Sequence, residues 1–252
     1  MTPLRARGLH RFYRRGGNEV AALLDVSLSC APGEIVAVTG PSGSGKSTLL
    51  GLLAGLDDPD GGAVHVAGLR LSHTTPAAAA RLRARHIGIL TQSSALLGHL
   101  SVLENVRFAA SLRGASAASL RGASAASLRG ASAGSPRAAG GRGARTRATG
   151  AGPSPDELVD GLGLRAVRHA TPRTLSGGET ARAGLAVALA GAPTVLLADE
   201  PTAEVSRDEE GTVLDLLRTW RPRDGATVIV THSDAVAEQA DRVVHLIDGR
   251  IV

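Results

Sequence analysis

At 252 residues with 43% apolar side chains, the chain is long enough for one large α/β domain around a substantial core. Its single cysteine, Cys30, excludes an internal disulfide, and no apolar run reaches the ~20 residues of a membrane-spanning helix. The net charge of +5 invites a nucleic-acid reading, but seven arginines and no acid fall between 113 and 152, leaving 21 cations against 23 anions elsewhere, so a low-complexity segment and not a basic face sets the balance.

In chain order, residues 1–17 are arginine-rich and lack the apolar stretch of an export signal, so a cytoplasmic, soluble or peripheral protein is expected. Residues 34–39 form a short apolar run that predicts a buried strand. It ends in Gly40-Pro41-Ser42-Gly43-Ser44-Gly45-Lys46-Ser47-Thr48, and helical spacing follows over 46–54. Helices are predicted at 76–85, 102–113, 178–190 and 209–218, with further buried strands at 86–90, 194–198 and 227–231. This alternation argues for a parallel sheet covered on both faces. Residues 243–247, Asp248-Gly249 and 250–252 read as a closing hairpin.

The middle of the chain is repetitive. An octad, Ser-Leu-Arg-Gly-Ala-Ser-Ala-Ala, runs from Ser111 to Ala118, repeats identically over 119–126 and recurs over 127–134 with a final glycine. One leucine in eight residues cannot offset the entropy of ordering the chain, so about 113–152 reads as a disordered insertion into a domain that resumes at Pro155, the other readings being a short alanine-rich helical extension and a basic tether for anionic lipid or RNA.

Three segments carry chemistry. In the glycine-rich loop, successive backbone N–H groups and the following helix N-terminus make a phosphate cradle. Lys46, the only lysine in the chain, would bridge β and γ phosphates, and the Ser47 hydroxyl would ligate Mg²⁺. Asp199 and Glu200 stand where an apolar strand runs out, the edge at which α/β sheets bind ligands. Asp199 can hold a magnesium shell while Glu200 orients or deprotonates a water. Leu175-Ser176-Gly177-Gly178-Glu179 opens a second helix able to bind an anion; read alone, it is an ordinary start with Ser176 as cap and Glu179 completing a capping box.

With these motifs in this order, Gln92 after one strand and Thr231-His232 after another, the chain resembles the nucleotide-binding subunit of ATP-binding cassette (ABC) transporters over nearly its whole length apart from the insertion. The resemblance implies a single α/β domain over 1–252: a P-loop NTPase (RecA-like) core with a mainly parallel sheet, a small N-terminal antiparallel β subdomain, and a helical subdomain at about 93–190. It implies ATP and Mg²⁺ as cofactors, with Tyr13 stacking on adenine and Phe12 its competitor for that role. Gln92 is expected to touch Mg²⁺ and sense a membrane partner, and His232 to contact the γ phosphate. Two subunits, identical or not, would pair head to tail at the cytoplasmic face of a membrane, Ser176, Gly177 and Gly178 of one completing the ATP site of the other, and would drive a permease. No specific nucleic acid is expected.

Residues 13–23 and 96–106 look like the lipoprotein-release, macrolide-export and cell-division branch. The chain departs from the pattern at Thr180 and Val187, where glutamine and arginine are usual, and at Ser206, which replaces the aspartate linking the two sites across a dimer. Competing readings are a regulatory or nucleic-acid-associated ATPase using the Arg-rich insertion, and a non-hydrolysing scaffold.

Overall fold

The computed structural model describes residues 1–15, 18–92, 96–118 and 152–252. In chain order these form β1 (Leu4–Arg15), β2 (Asn18–Cys30), β3 (Ile35–Thr39), α1 (Lys46–Leu53), β4 (Gly61–Val66), β5 (Leu69–Arg70), α2 (Pro76–His86) and β6 (Ile87–Leu90). Then follow α3 (Val102–Ala118), α4 (Pro155–Gly161), α5 (Gly177–Leu189), β7 (Val195–Asp199), α6 (Arg207–Trp220), β8 (Ala226–Val230), α7 (Asp234–Ala237), β9 (Arg242–Ile247) and β10 (Arg250–Ile251).

Two sheets result. One is antiparallel with order β2-β1-β4-β5; the other has order β10-β9-β3-β8-β7-β6, parallel from β9 to β6 with β10 closing it as an antiparallel edge. The parallel strands are short apolar runs because both their faces are covered. Val36, Val38, Val195, Leu197, Val228 and Val230 point into a core shared with the α1 leucines and the antiparallel sheet. The alternate residues Ile35, Leu196, Ala198 and Ile229 enter a second core filled from α3, α4 and α5. Period-two alternation thus divides one sheet between two cores.

Most predicted boundaries shift by a residue or two, and one shift has a plain cause: His86 belongs to α2, so the strand begins at Ile87. A larger correction concerns α3. The helix does not stop at Arg113 but continues through Ala118. The remaining predicted insertion, 119–151, lies outside the described residues. The octad is rich in good helix formers, and its arginine is fastened. Arg113 donates from Nη1 to the carbonyls of Ala188 (3.1 Å) and Ala190, and from Nη2 to the Ile87 carbonyl at 2.9 Å. The first two carbonyls end α5, where orphan acceptors and the negative end of the helix dipole favour a cation. Burial pulls the Arg113 pKa down to about 10, so the guanidinium is held by carbonyls alone at some cost in solvation.

Replacing Arg113 by alanine strands three carbonyls and should lower stability by about 2–3 kcal/mol, seen in calorimetry as a fall of roughly 4–12 °C in Tm. Arg113→Lys should recover only part, because one ammonium cannot reproduce the fork.

Candidate functional site

The strand order builds the site. Val230 at the end of β8 lies opposite Val38 of β3 on one side and Asp199 of β7 on the other. The loop after β3, the carboxylates after β7, Thr231-His232 after β8 and Gln92 beyond β6 therefore all emerge at one carboxyl edge. An open pocket of about 420 Å³ lies there, lined by Tyr13, Gly40, Ser42, Gly43, Gly45, Lys46, Ser47, Thr48, Gln92, Asp199, Glu200 and His232, with Ala22 and Val230.

The loop is shaped for a phosphate. Gly45, the residue before α1, has φ 103°, and a Cβ there would come within 2.3 Å of the Ala22 carbonyl oxygen, so only glycine fits. No side chain caps α1 and no acid stands in its first turn, which leaves its N–H groups and positive dipole end free for an anion. Lys46 folds back over the loop, its Nζ donating to the carbonyls of Gly40 (2.7 Å) and Pro41 (2.9 Å) with a third donor to spare. Pro41 and Ser44 belong to the loop without lining the pocket; Ser44 is buried, and its Oγ has no hydrogen-bond partner among the described residues.

Across the pocket the two acids have different surroundings. Burial and the neighbouring Glu200 charge push Asp199 above the usual carboxylate range, against the opposing pull of Lys46. Glu200 has a left-handed backbone, φ 47°, held by its N–H on the Val230 carbonyl at 2.9 Å. Its carboxylate accepts from Thr231 Oγ1 at 3.0 Å and lies 2.7 Å from His232 Nδ1. The acid after β7 and the histidine after β8 thus meet directly.

Tyr13 is 42% exposed at the pocket mouth, with the Arg11 guanidinium 4.8 Å from its ring centroid. Arg11 is anchored by Asp57 at 2.7 Å and Asp60 at 3.2 Å. Phe12, the competitor, instead stacks on His10 with centroids 6.3 Å apart and does not line the pocket.

Ser176, Gly177 and Gly178 are not brought to this pocket. Ser176 and Gly177 are exposed at the tip of α5, while Gly178 is buried. The capping box is real: Glu179 N–H donates to Ser176 Oγ at 3.2 Å, and Ser176 N–H to Glu179 at 2.8 Å. Gly177 is required by closeness, since a Cβ there would lie 2.3 Å from the Glu204 carbonyl oxygen. Of the three departures, Val187 packs against the second core, Ser206 precedes α6 without a side-chain cap, and Thr180 shares a narrow crevice with Gln92 and Glu200.

Sequence reasoning missed Arg11 and the Thr231 hydroxyl as parts of the site. The first had a signal, a cation two residues before Tyr13 on one strand face; the second depends on the turn after β8, which no local pattern fixes.

A family model described as ABC transporter matches residues 23–203. The macrolide export ATP-binding/permease protein MacB of Salmonella typhi is 37% identical over 242 residues, covering 96% of this chain and 33% of that protein; this chain therefore spans about a third of the length of such relatives. The uncharacterized ABC transporter ATP-binding protein YbbA of Escherichia coli (strain K12) is 39% identical over 244 residues, covering 96% of this chain and 93% of that one. Among solved structures, a dimeric post-hydrolysis state of the ATP-binding cassette MJ0796 bound to ADP and Pi superposes with a TM-score of 0.77 at 26% identity, covering 98% of this chain and 96% of that one. A second dimeric structure of MJ0796, described as a bacterial ABC transporter cassette, gives 0.75 at 27% identity, with the same 98% and 96% coverage.

Because the Asp199 pKa is raised, the folded chain keeps that proton to higher pH than the unfolded chain, and the ionised group destabilises the nucleotide-free fold at neutral pH. Asp199→Asn should therefore unfold at a higher temperature than wild type without nucleotide. The gap should close as pH falls through the raised pKa; a lower Tm at neutral pH would contradict the assignment.

Proposed function

The chain belongs to the ABC transporter family, and on that premise we propose that it binds and hydrolyses ATP with Mg²⁺ as the motor subunit of a transporter, pairing head to tail with a second cassette and driving a membrane permease. The observation that carries this reading is the convergence on one pocket of an uncapped helix N-terminus, Lys46, Asp199, Glu200 and His232, while a second helix tip, capped by its own Ser176 and Glu179, stands exposed outside it at Ser176 and Gly177. One nucleotide has no use for both tips within one chain. A second copy gives the Ser176–Gly177 tip a phosphate to close upon.

The donors fit magnesium. Ser47 offers a hydroxyl and Asp199 a carboxylate, both hard oxygen ligands, and Gln92 adds an amide oxygen at the same mouth. Among the described residues no cluster of three His, Cys, Asp or Glu side chains could hold a metal alone, which suits an ion that takes its remaining ligands from phosphate and water. Bound there, Mg²⁺ would neutralise charge on the β and γ phosphates.

The chain's own residues do the rest. Tyr13, with Arg11 over its ring, offers a stacking surface for adenine. The loop amides and Lys46 hold the phosphates, Lys46 exchanging one carbonyl for a phosphate oxygen. Glu200, bonded to Thr231 and His232, orients the attacking water and draws its proton, while His232 stays beside the γ phosphate. Among the described residues no helix is long and apolar enough to cross a membrane. Peripheral attachment at the cytoplasmic face, through the region of Gln92, is the arrangement this reading requires.

Glu200→Gln should keep ATP binding while kcat falls at least about 10²-fold, and with ATP and Mg²⁺ it should elute as a dimer in size-exclusion chromatography. Lys46→Ala should lose nucleotide binding and turnover together. Elution of the Glu200→Gln protein only as a monomer under those conditions would overturn the composite site.

A further inference from the structure

One half-buried acid outside the pocket touches both catalytic loops. The first turn of α6 carries three acids, Asp208, Glu209 and Glu210. Acids there suit the helix dipole, and that alone would explain exposed Asp208. Glu209 turns to Arg182 of α5, 3.4 Å away. Glu210 turns the other way, and a single oxygen, Oε1, accepts from Thr202 Oγ1 at 3.0 Å and from Ser233 Oγ at 3.4 Å.

Thr202 lies two residues beyond Glu200, and Ser233 follows His232. Glu200 itself bonds to Thr231 and His232, and the Ser233 N–H donates to Thr231 Oγ1 at 3.0 Å. The bonds close a ring: Glu200 to the 231–232 segment, along the chain to Ser233, across to Glu210, back to Thr202, and through two residues to Glu200. Beyond the Glu200 N–H bond to the Val230 carbonyl, the side-chain links between the two loops among the described residues would without Glu210 run only through the Glu200 carboxylate. That is the group which must reorient towards a water during hydrolysis.

We propose that Glu210 is a positioning residue for ATP hydrolysis, holding the Glu200 loop and the His232 loop in register through the hydroxyls of Thr202 and Ser233. The inference rests on the hydrolytic reading above. It assigns Glu210 no contact with nucleotide, since Glu210 does not line the pocket. Its effect therefore falls on turnover and not on ATP affinity.

The test is steady-state ATPase kinetics on the full chain. Glu210→Ala should lose about tenfold or more in kcat, with KM for ATP within about twofold of wild type. Glu210→Gln keeps an acceptor oxygen at the same place and should retain most of kcat. Thr202→Val and Ser233→Ala, milder changes that keep the α6 turn intact, should each lose part of kcat and add nothing when combined with Glu210→Ala. Asp208→Asn, which removes a charge from the same turn, should be unchanged. An unaltered kcat in Glu210→Ala, a loss equally deep in Glu210→Gln, or full additivity of the hydroxyl variants would overturn the assignment. A wild-type protein without turnover would overturn hydrolysis itself and this role with it.

Discussion

Val230 is paired along both edges of its strand, to Val38 and to Asp199, and this double pairing is what the rest of the molecule depends on. One strand, about 4.8 Å from each neighbour, separates the phosphate loop from the carboxylates. A pair of unlike sites is thereby set across a gap of molecular size without any long-range tuning. Burial of Val36, Val38, Val228 and Val230 in one core fixes the register, because a slip of one residue would turn every valine to the opposite face.

The cost of this arrangement is local. Asp199 is partly desolvated beside another carboxylate, and Glu200 carries a backbone conformation that non-glycine residues avoid. Both tensions face the pocket, where a cation and its phosphates would relieve the first and where Thr231 and His232 already restrain the second. Cys30, by contrast, is buried with its thiol pushed up to about 12 by burial, and it takes no part in the chemistry.

The central sheet was legible because strands buried on both faces leave unbroken apolar runs such as Ile35–Thr39 and Val195–Asp199. The N-terminal strands were hidden to direct pattern reading and came only through the resemblance. Register shifts between Ala6 and Leu9, Leu9 and Arg11, and Arg11 and Phe12 break the two-residue alternation that would have announced β1. The glycine loop, the acid pair and His232 stood out because each follows a readable strand. The end of α3 and the place of Glu210 did not, since Arg113 finds two of its three acceptors 75 and 77 residues away and Glu210 bonds to a hydroxyl 23 residues on. Such contacts are properties of the packed chain.

Lys46 leans on two carbonyls at the mouth of the pocket, and no other lysine occurs anywhere in the sequence. Side-chain amine chemistry is therefore confined to a single address. An acylating agent that spares hydroxyls and guanidinium groups has one lysine to strike, and modification there erases the positive charge in the cradle. Occupancy of the cradle then becomes readable as protection of one side-chain nitrogen, with no second lysine to compete.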